Sequence, residues 1–128
     1  MKYSLSTLAM VVFTGSVFAQ DLSAPPSDSV EIVVPEMASA CELAEPPAAI
    51  AVDADYDTLV AAQGGVKSFQ ASAEAYRECL DRVRDSPDLT EGNEIALNAL
   101  HDQSVDLEEQ VAGRFNEAVK AYKAANPN

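Results

Sequence analysis

The sequence predicts an all-α protein: an antiparallel two-helix hairpin of the coiled-coil type, preceded by a disordered lead rich in proline, alanine and acidic residues. Three observations support this fold class. Apolar residues recur every three or four positions in two long stretches, and Ser86-Pro87 separates the two stretches. Five of the seven prolines lie before the first stretch, where they disfavour regular structure.

Residues 1–19 have the pattern of a signal peptide. Lys2 supplies a positive charge, an apolar run follows, and Ala19 is a small residue at the expected cut. The apolar run is shorter than the roughly 20 residues that a membrane-spanning helix needs. We therefore expect a periplasmic or secreted protein with no membrane insertion after the signal is removed.

Residues 20–52 form the predicted lead, which is extended and mostly disordered because it contains no basic residue and is rich in Pro, Ala, Ser and acids. Its apolar segment Val30–Val34 is interpreted as either a short edge strand or a docking segment. Around Cys41, the run from Pro35 to Ala44 predicts one or two helical turns.

Residues 53–126 form the predicted hairpin. The first helix is expected to begin at an N-cap, Asp55 or Asp57, and to end at Arg84. The second is expected to run from the N-cap Thr90 to about Ala125. The apolar stripe of the first helix is Leu59, Ala62, Val66, Phe69, Ala73, Tyr76, Leu80 and Val83, and that of the second is Leu97, Leu100, Ser104, Leu107, Val111, Phe115, Ala118 and Tyr122.

Two features of the hairpin leave alternatives open. Gly64-Gly65 predicts a kink or a close approach of the second helix, since glycine is a poor helix former. Further apolar residues lie off the stripes at Val60, Ile95, Val105 and Val119. They favour a homodimer in which two hairpins form a four-helix bundle. The alternative is a monomer whose lead covers the stripes.

Cys41 and Cys79 are the only cysteines, and an exported protein meets conditions that favour disulfides. We predict one bridge between them, which would pin the lead against the first helix as a strap. A redox or metal-binding pair is disfavoured because neither cysteine has the C-x-x-C spacing.

The charge is strongly acidic, with seven basic and 21 acidic residues left after Lys2 is removed. Nucleic acid and anionic membranes attract basic patches, so neither is an expected partner. We interpret the excess of acids as a means of solubility, and the alternative is a surface that attracts cations or a basic partner.

Candidate chemical sites are weak. Asp53, Asp55 and Asp57 resemble the start of a calcium loop, but Thr58 and Gly64 stand where glycine and glutamate are required, so we interpret the acids as helix caps. His101 has no second ligand one helical turn away. The mixed charges after Glu74 predict solvated ion pairs such as Glu78 with Arg82. We expect no enzymatic activity, catalytic residue, cofactor or metal.

Several segments resemble a loose group of short, exported, uncharacterised bacterial helical proteins with two cysteines. These segments are Cys41 with Pro46-Pro47, Tyr76-Arg77-Glu78-Cys79-Leu80, Phe115-Asn116 and Tyr122-Lys123, which together span about Cys41 to Lys123. Members of the group tend to have a Pro-Asp-Gly turn before the first helix, where this chain has Ile50-Ala51-Val52-Asp53. The resemblance implies no activity.

The function that these patterns favour is that of an exported structural or protein-interaction module, with the helical stripes as the binding surface. The alternative is a periplasmic chaperone-like or stress-response helper, whose acidic helical arms would hold unfolded chains.

The signal peptide gives a direct prediction. The exported protein should begin at Gln20, because signal peptidase cuts after a small residue. Intact-mass spectrometry of the protein recovered outside the cytoplasm checks this start. A mass that includes Lys2 would show that the leader is retained.

Overall fold

A computed structural model describes residues 29–128, so the predicted signal peptide lies outside the described residues. The described chain is all-helical. A short 3₁₀ helix, Glu36–Ala40, precedes two long α-helices, α1 (Tyr56–Arg84) and α2 (Glu91–Ala125). The fold class predicted from the apolar stripes is confirmed.

The two α-helices begin at the predicted caps. The Asp55 carboxylate accepts a hydrogen bond of 2.8 Å from the Thr58 backbone N–H, and hydrogen bonds from the Thr58 side chain and backbone lower the pKa of Asp55. At α2 the Thr90 hydroxyl accepts from the Asn93 N–H, while the Asn93 side chain accepts from the Thr90 N–H, both at 3.1 Å. This reciprocal capping box satisfies two backbone donors and fixes the start of α2.

The helices are antiparallel, and contacts along their whole length fix this arrangement. Arg84 donates a 2.9 Å hydrogen bond to Asn98 near the connecting loop, and the rings of Tyr56 and Tyr122 lie 6.3 Å apart at the opposite end. We call these the loop end and the open end of the hairpin. The N-terminal end of α1 therefore lies beside the C-terminal end of α2, and the apolar stripes face each other over about eight helical turns.

The stripe of α1 is the main core of the protein. Every predicted stripe residue of α1 except Ala62 is buried. On α2 the buried positions include Leu97, Ser104 and Val111, while other stripe residues such as Leu100 and Phe115 are half-buried. Burial of apolar surface along this seam stabilises the hairpin.

Ser104 is the polar residue within this core, and its hydroxyl is satisfied. It donates a 2.7 Å hydrogen bond to the His101 carbonyl and accepts one of 3.4 Å from Arg77. Arg77 also forms a 2.9 Å ion pair with Glu108, across the seam. A polar group inside the seam therefore has partners on both helices, which avoids the cost of an unpaired buried hydroxyl.

Residues 29–52 contain little regular secondary structure, and they lie along the hairpin from the loop end to the open end. We call this segment the strap. Its Ala38 is buried in the core cluster that contains Leu80 and Leu97. Its Leu43 packs against that cluster and also against a second core cluster, which contains Phe69. The strap covers the seam.

The strap runs antiparallel to α1 in a regular register. Its residues lie beside α1 in three pairs: Cys41 with Cys79, Ala44 with Ser72, and Pro47 with Gly65. Further along, Ile50 and Thr58 line the same groove. From one pair to the next, the strap advances by three residues while the position on α1 moves back by seven residues. Three extended residues span about 10 Å and seven helical residues rise about 10.5 Å, so the two periods match.

Gly64-Gly65 lies within α1, where the sequence predicted a kink or a close approach of the second helix. α1 continues through both glycines without interruption, and the approach at Gly65 is made by Pro47 of the strap instead of by the second helix. A Cβ at position 65 would lie 3.5 Å from the Pro47 Cβ, which is ordinary contact. Glycine at position 65 therefore lets the strap lie close to α1, but alanine would also fit there.

The disulfide predicts a large stability effect. The double substitution Cys41→Ser/Cys79→Ser should lower the free energy of unfolding by about 4 kcal/mol, because the unfolded chain regains the entropy of an open loop. Urea unfolding followed by circular dichroism measures this change. A control with Ala40→Ser and Ala75→Ser, both at exposed positions, should lose less than about 1 kcal/mol. Equal unfolding midpoints for the two variants would contradict the prediction.

Candidate functional site

The predicted bridge between Cys41 and Cys79 is formed. Their Cα atoms lie 5.6 Å apart, within the normal range for a disulfide, and 38 positions separate them in the sequence. Beside the bridge, the Ala44 N–H donates a 3.0 Å hydrogen bond to the Ser72 hydroxyl. The middle of the strap is therefore held to α1 by a covalent bond and an adjacent hydrogen bond.

The segment Val30–Val34 docks on the hairpin, as one of the two interpretations of this segment predicted. The backbone of Glu31 packs against Gly92, where a Cβ would overlap the Glu31 carbonyl oxygen. One position along, the Asn93 side-chain amide donates a 2.6 Å hydrogen bond to the Val33 carbonyl. Gly92 is buried under the strap because only a residue without a side chain fits there.

Docking leaves the apolar side chains of this segment in solvent. Val30, Ile32, Val33, Val34 and Met37 are between 41% and 62% exposed. We call these five residues the loop-end patch. They lie within eight consecutive residues of the strap, in contrast to scattered surface apolar residues, and such clusters of exposed apolar residues are typical of interaction surfaces.

Carboxylates surround the loop-end patch. Glu31 and Glu91 line one shallow groove of about 430 Å³ beside it, and Glu36 follows along the strap. None of these three takes part in an ion pair within residues 29–128. The surface around the patch is therefore negatively charged.

Two apolar grooves lie at the open end, one on each side of strap residues 49–51. The first, of about 510 Å³, lies between Val52 and the α2 residues Gly113, Ala118 and Ala121. The second, of about 480 Å³, lies between the strap and α1 at Ala61 and Ala62. Val52 itself is 89% exposed, so this end is a second apolar surface.

The candidate metal ligands do not form a site. Among residues 29–128, no group of three or more His, Cys, Asp or Glu side chains could hold a metal ion. Asp55 caps α1 instead of converging with Asp53 and Asp57 on a cation. His101 is partly exposed, and its Nδ1 lies 3.5 Å from the carboxylate of its neighbour Asp102.

The ion pair predicted between Glu78 and Arg82 is absent from the part of the chain that the structure describes. The arginines on either side have other partners. Arg77 reaches across the seam to Glu108, and Arg84 pairs with Asp81 at 3.0 Å. A pair between exposed helical side chains is worth only a few tenths of a kcal/mol, so the cross-helix contact prevails where the packing allows it.

Tyr76 is the one phenol on the α1 stripe, and it belongs to the core. It is buried next to Leu80 and Val83, and burial raises the pKa of its hydroxyl. The neutral ring therefore packs as an apolar residue of the stripe.

No protein-family model, curated protein or solved structure matches the chain. Among the described residues, neither α-helix is apolar enough over sufficient length to cross a bilayer.

Sequence reasoning missed the strap register, although a signal for it exists. Thr58, Gly65, Ser72 and Cys79 are four small residues at a spacing of seven, immediately before the stripe residues Leu59, Val66, Ala73 and Leu80. A row of small residues beside an apolar seam indicates that another segment packs closely there. The proline-rich lead is the segment that fits.

Gly92 gives a testable prediction about the loop-end patch. Gly92→Ala should release residues 29–34 from α2, because the added Cβ would overlap the Glu31 backbone. Backbone ¹⁵N relaxation at residues 30–34 measures the release as a fall in the heteronuclear Overhauser effect. Residues near Cys41 should keep their order because the disulfide holds them.

Gly64→Ala is the matched control, since nothing lies within 4 Å of a Cβ at that position. It should leave residues 30–34 unchanged and raise the free energy of unfolding by up to about 1 kcal/mol, as expected for an exposed helical glycine. If Gly92→Ala and Gly64→Ala behave alike, the close packing of Glu31 on Gly92 is not what holds the patch.

Proposed function

We propose that this protein is an exported protein-interaction module, in which the strap-covered hairpin is the scaffold and the loop-end patch is the binding surface. The observation that supports this function is that five exposed apolar residues lie on a backbone anchored at both ends. Gly92 and Asn93 hold one end, and the disulfide at Cys41 holds the other.

Anchoring matters because binding by a free apolar tail loses conformational entropy. A segment already fixed in one conformation loses less on binding, so more of the apolar contact energy appears as affinity. In the strap, Ile32 is 62% exposed while the carbonyl of the next residue, Val33, is hydrogen-bonded to α2. The side chain is thus displayed from a backbone that is already ordered.

The location that we propose is the periplasm or the extracellular space. The leader pattern of residues 1–19 supports export. The Cys41–Cys79 bridge also supports it, because disulfides persist in oxidising compartments and are rare in the cytosol. The acidic charge would keep such a protein soluble and would select against anionic surfaces.

Site-specific photo-crosslinking tests the proposed function. A benzoylphenylalanine replacing Ile32 in the cell should give a discrete adduct with one partner protein. The same probe at Ala71, an exposed residue in the middle of α1, should give none. A third probe at Val52 reports on the apolar grooves of the open end.

The outcomes separate the alternatives. An adduct at Ile32 alone supports the proposal, and an adduct at Val52 alone would move the binding surface to the open end. An adduct with a second copy of the chain would identify a homodimer. A broad ladder of adducts at Ile32 would instead favour the chaperone-like helper, and equal labelling at Ala71 would contradict any defined surface.

A further inference from the structure

We propose that the outward backbone edge of Val30–Val34 pairs with an extended strand of the partner, and that this strand alternates basic and apolar residues. The inference rests on the proposed function, since it states how the loop-end patch would engage its partner. It is carried by the direction of the backbone groups in this segment and by the charges beside it.

The inner edge of the segment is already in use. The carbonyls of Glu31 and Val33 both face the start of α2, the first against Gly92 and the second accepting from Asn93. Two carbonyls that are two residues apart and face the same element indicate an extended chain. In such a chain the backbone groups of alternate residues point to opposite edges.

The outer edge therefore belongs to Val30, Ile32 and Val34. Within residues 29–128, the N–H and C=O groups of these three residues form no hydrogen bond with the protein. The three side chains are β-branched and exposed, which favours a strand conformation. An unpaired edge of this kind is a template for another strand, and strand addition to an edge is a general mode of peptide recognition.

The side chains specify what the added strand should carry. Residues opposite Val30, Ile32 and Val34 on the same face would contact them, so they should be apolar. The alternate residues of the partner would lie on the face of Glu31, close to Glu91 in the adjoining groove. Basic residues there would pair with two carboxylates that have no ion-pair partner in the described chain.

The same charges argue against a second copy as the occupant. Antiparallel pairing of two segments about Ile32 would place the two Glu31 side chains diagonally across the ladder, within about 8 Å. It would also bring together two chains that each carry a large negative charge. Like charges across a strand pair are destabilising, whereas a basic strand would be attracted.

Peptide binding to the full oxidised protein tests the proposal. The probe is a short fluorescein-labelled peptide that alternates lysine and valine, and fluorescence anisotropy measures its dissociation constant. It should bind with an affinity that falls as salt is added. The peptide in which glutamate replaces every lysine should bind at least about tenfold more weakly, because it meets Glu31 and Glu91 with like charge.

N-methylation distinguishes backbone pairing from side-chain contact. In the paired arrangement the valine N–H groups face the protein and the lysine N–H groups face away. Methylating the valine amides should weaken binding about tenfold or more, since several hydrogen bonds are lost. Methylating the lysine amides should leave the dissociation constant within about twofold. Equal effects of the two modifications would overturn edge pairing, and so would the absence of binding by the unmodified peptide.

Two protein variants complete the test. Ile32→Pro removes one outward N–H and should weaken the lysine–valine peptide about fivefold or more, whereas Ile32→Val keeps the N–H and should change binding less than about threefold. Light scattering gives the mass of the unsubstituted chain and of Ile32→Pro. A dimer that the substitution converts to a monomer would show that a second copy occupies the edge, and it would overturn the proposal of a basic partner. Photo-adducts at Ile32 with unaltered binding in the Ile32→Pro variant would leave the proposed function standing while this inference fails.

Discussion

The rest of the structure depends on the fit between the strap and α1, which the Cys41–Cys79 bridge locks in place. Two helices alone would leave one side of their apolar seam open to water, and a chain of this size buries too little surface to tolerate that easily. The strap closes this side. Its period of three extended residues matches two turns of helix, so the strap stays in register with α1 from Cys41 to Pro47.

The amino acids on α1 divide into two adjoining rows with different sizes. Large apolar residues such as Phe69 and Leu80 face α2 and form the core clusters. The row that precedes them is small, and Ser72 both makes room for the strap and accepts a hydrogen bond from it. α1 therefore buries one face against α2 and a second face under the strap, while its remaining face stays charged and exposed to solvent.

The same arrangement explains why apolar residues remain exposed at the loop end. The strap reaches α2 through backbone contacts at Gly92 and Asn93, so its side chains are not needed for docking. Val30–Val34 therefore presents its side chains and one backbone edge outward. Folding is supported elsewhere, by the seam and the bridge, so these exposed side chains are not part of the core.

The sequence by itself determined the helical hairpin, its caps and its disulfide, because each depends on local chemistry or on a period within one segment. Asp55 and Thr90 cap the helices as predicted, and the spacing of apolar residues located the seam. The course of residues 29–52 was decided only by the tertiary structure. A segment without periodicity carries no local signal of where it packs, and the role of Gly92 depends on a contact 61 positions away in the chain.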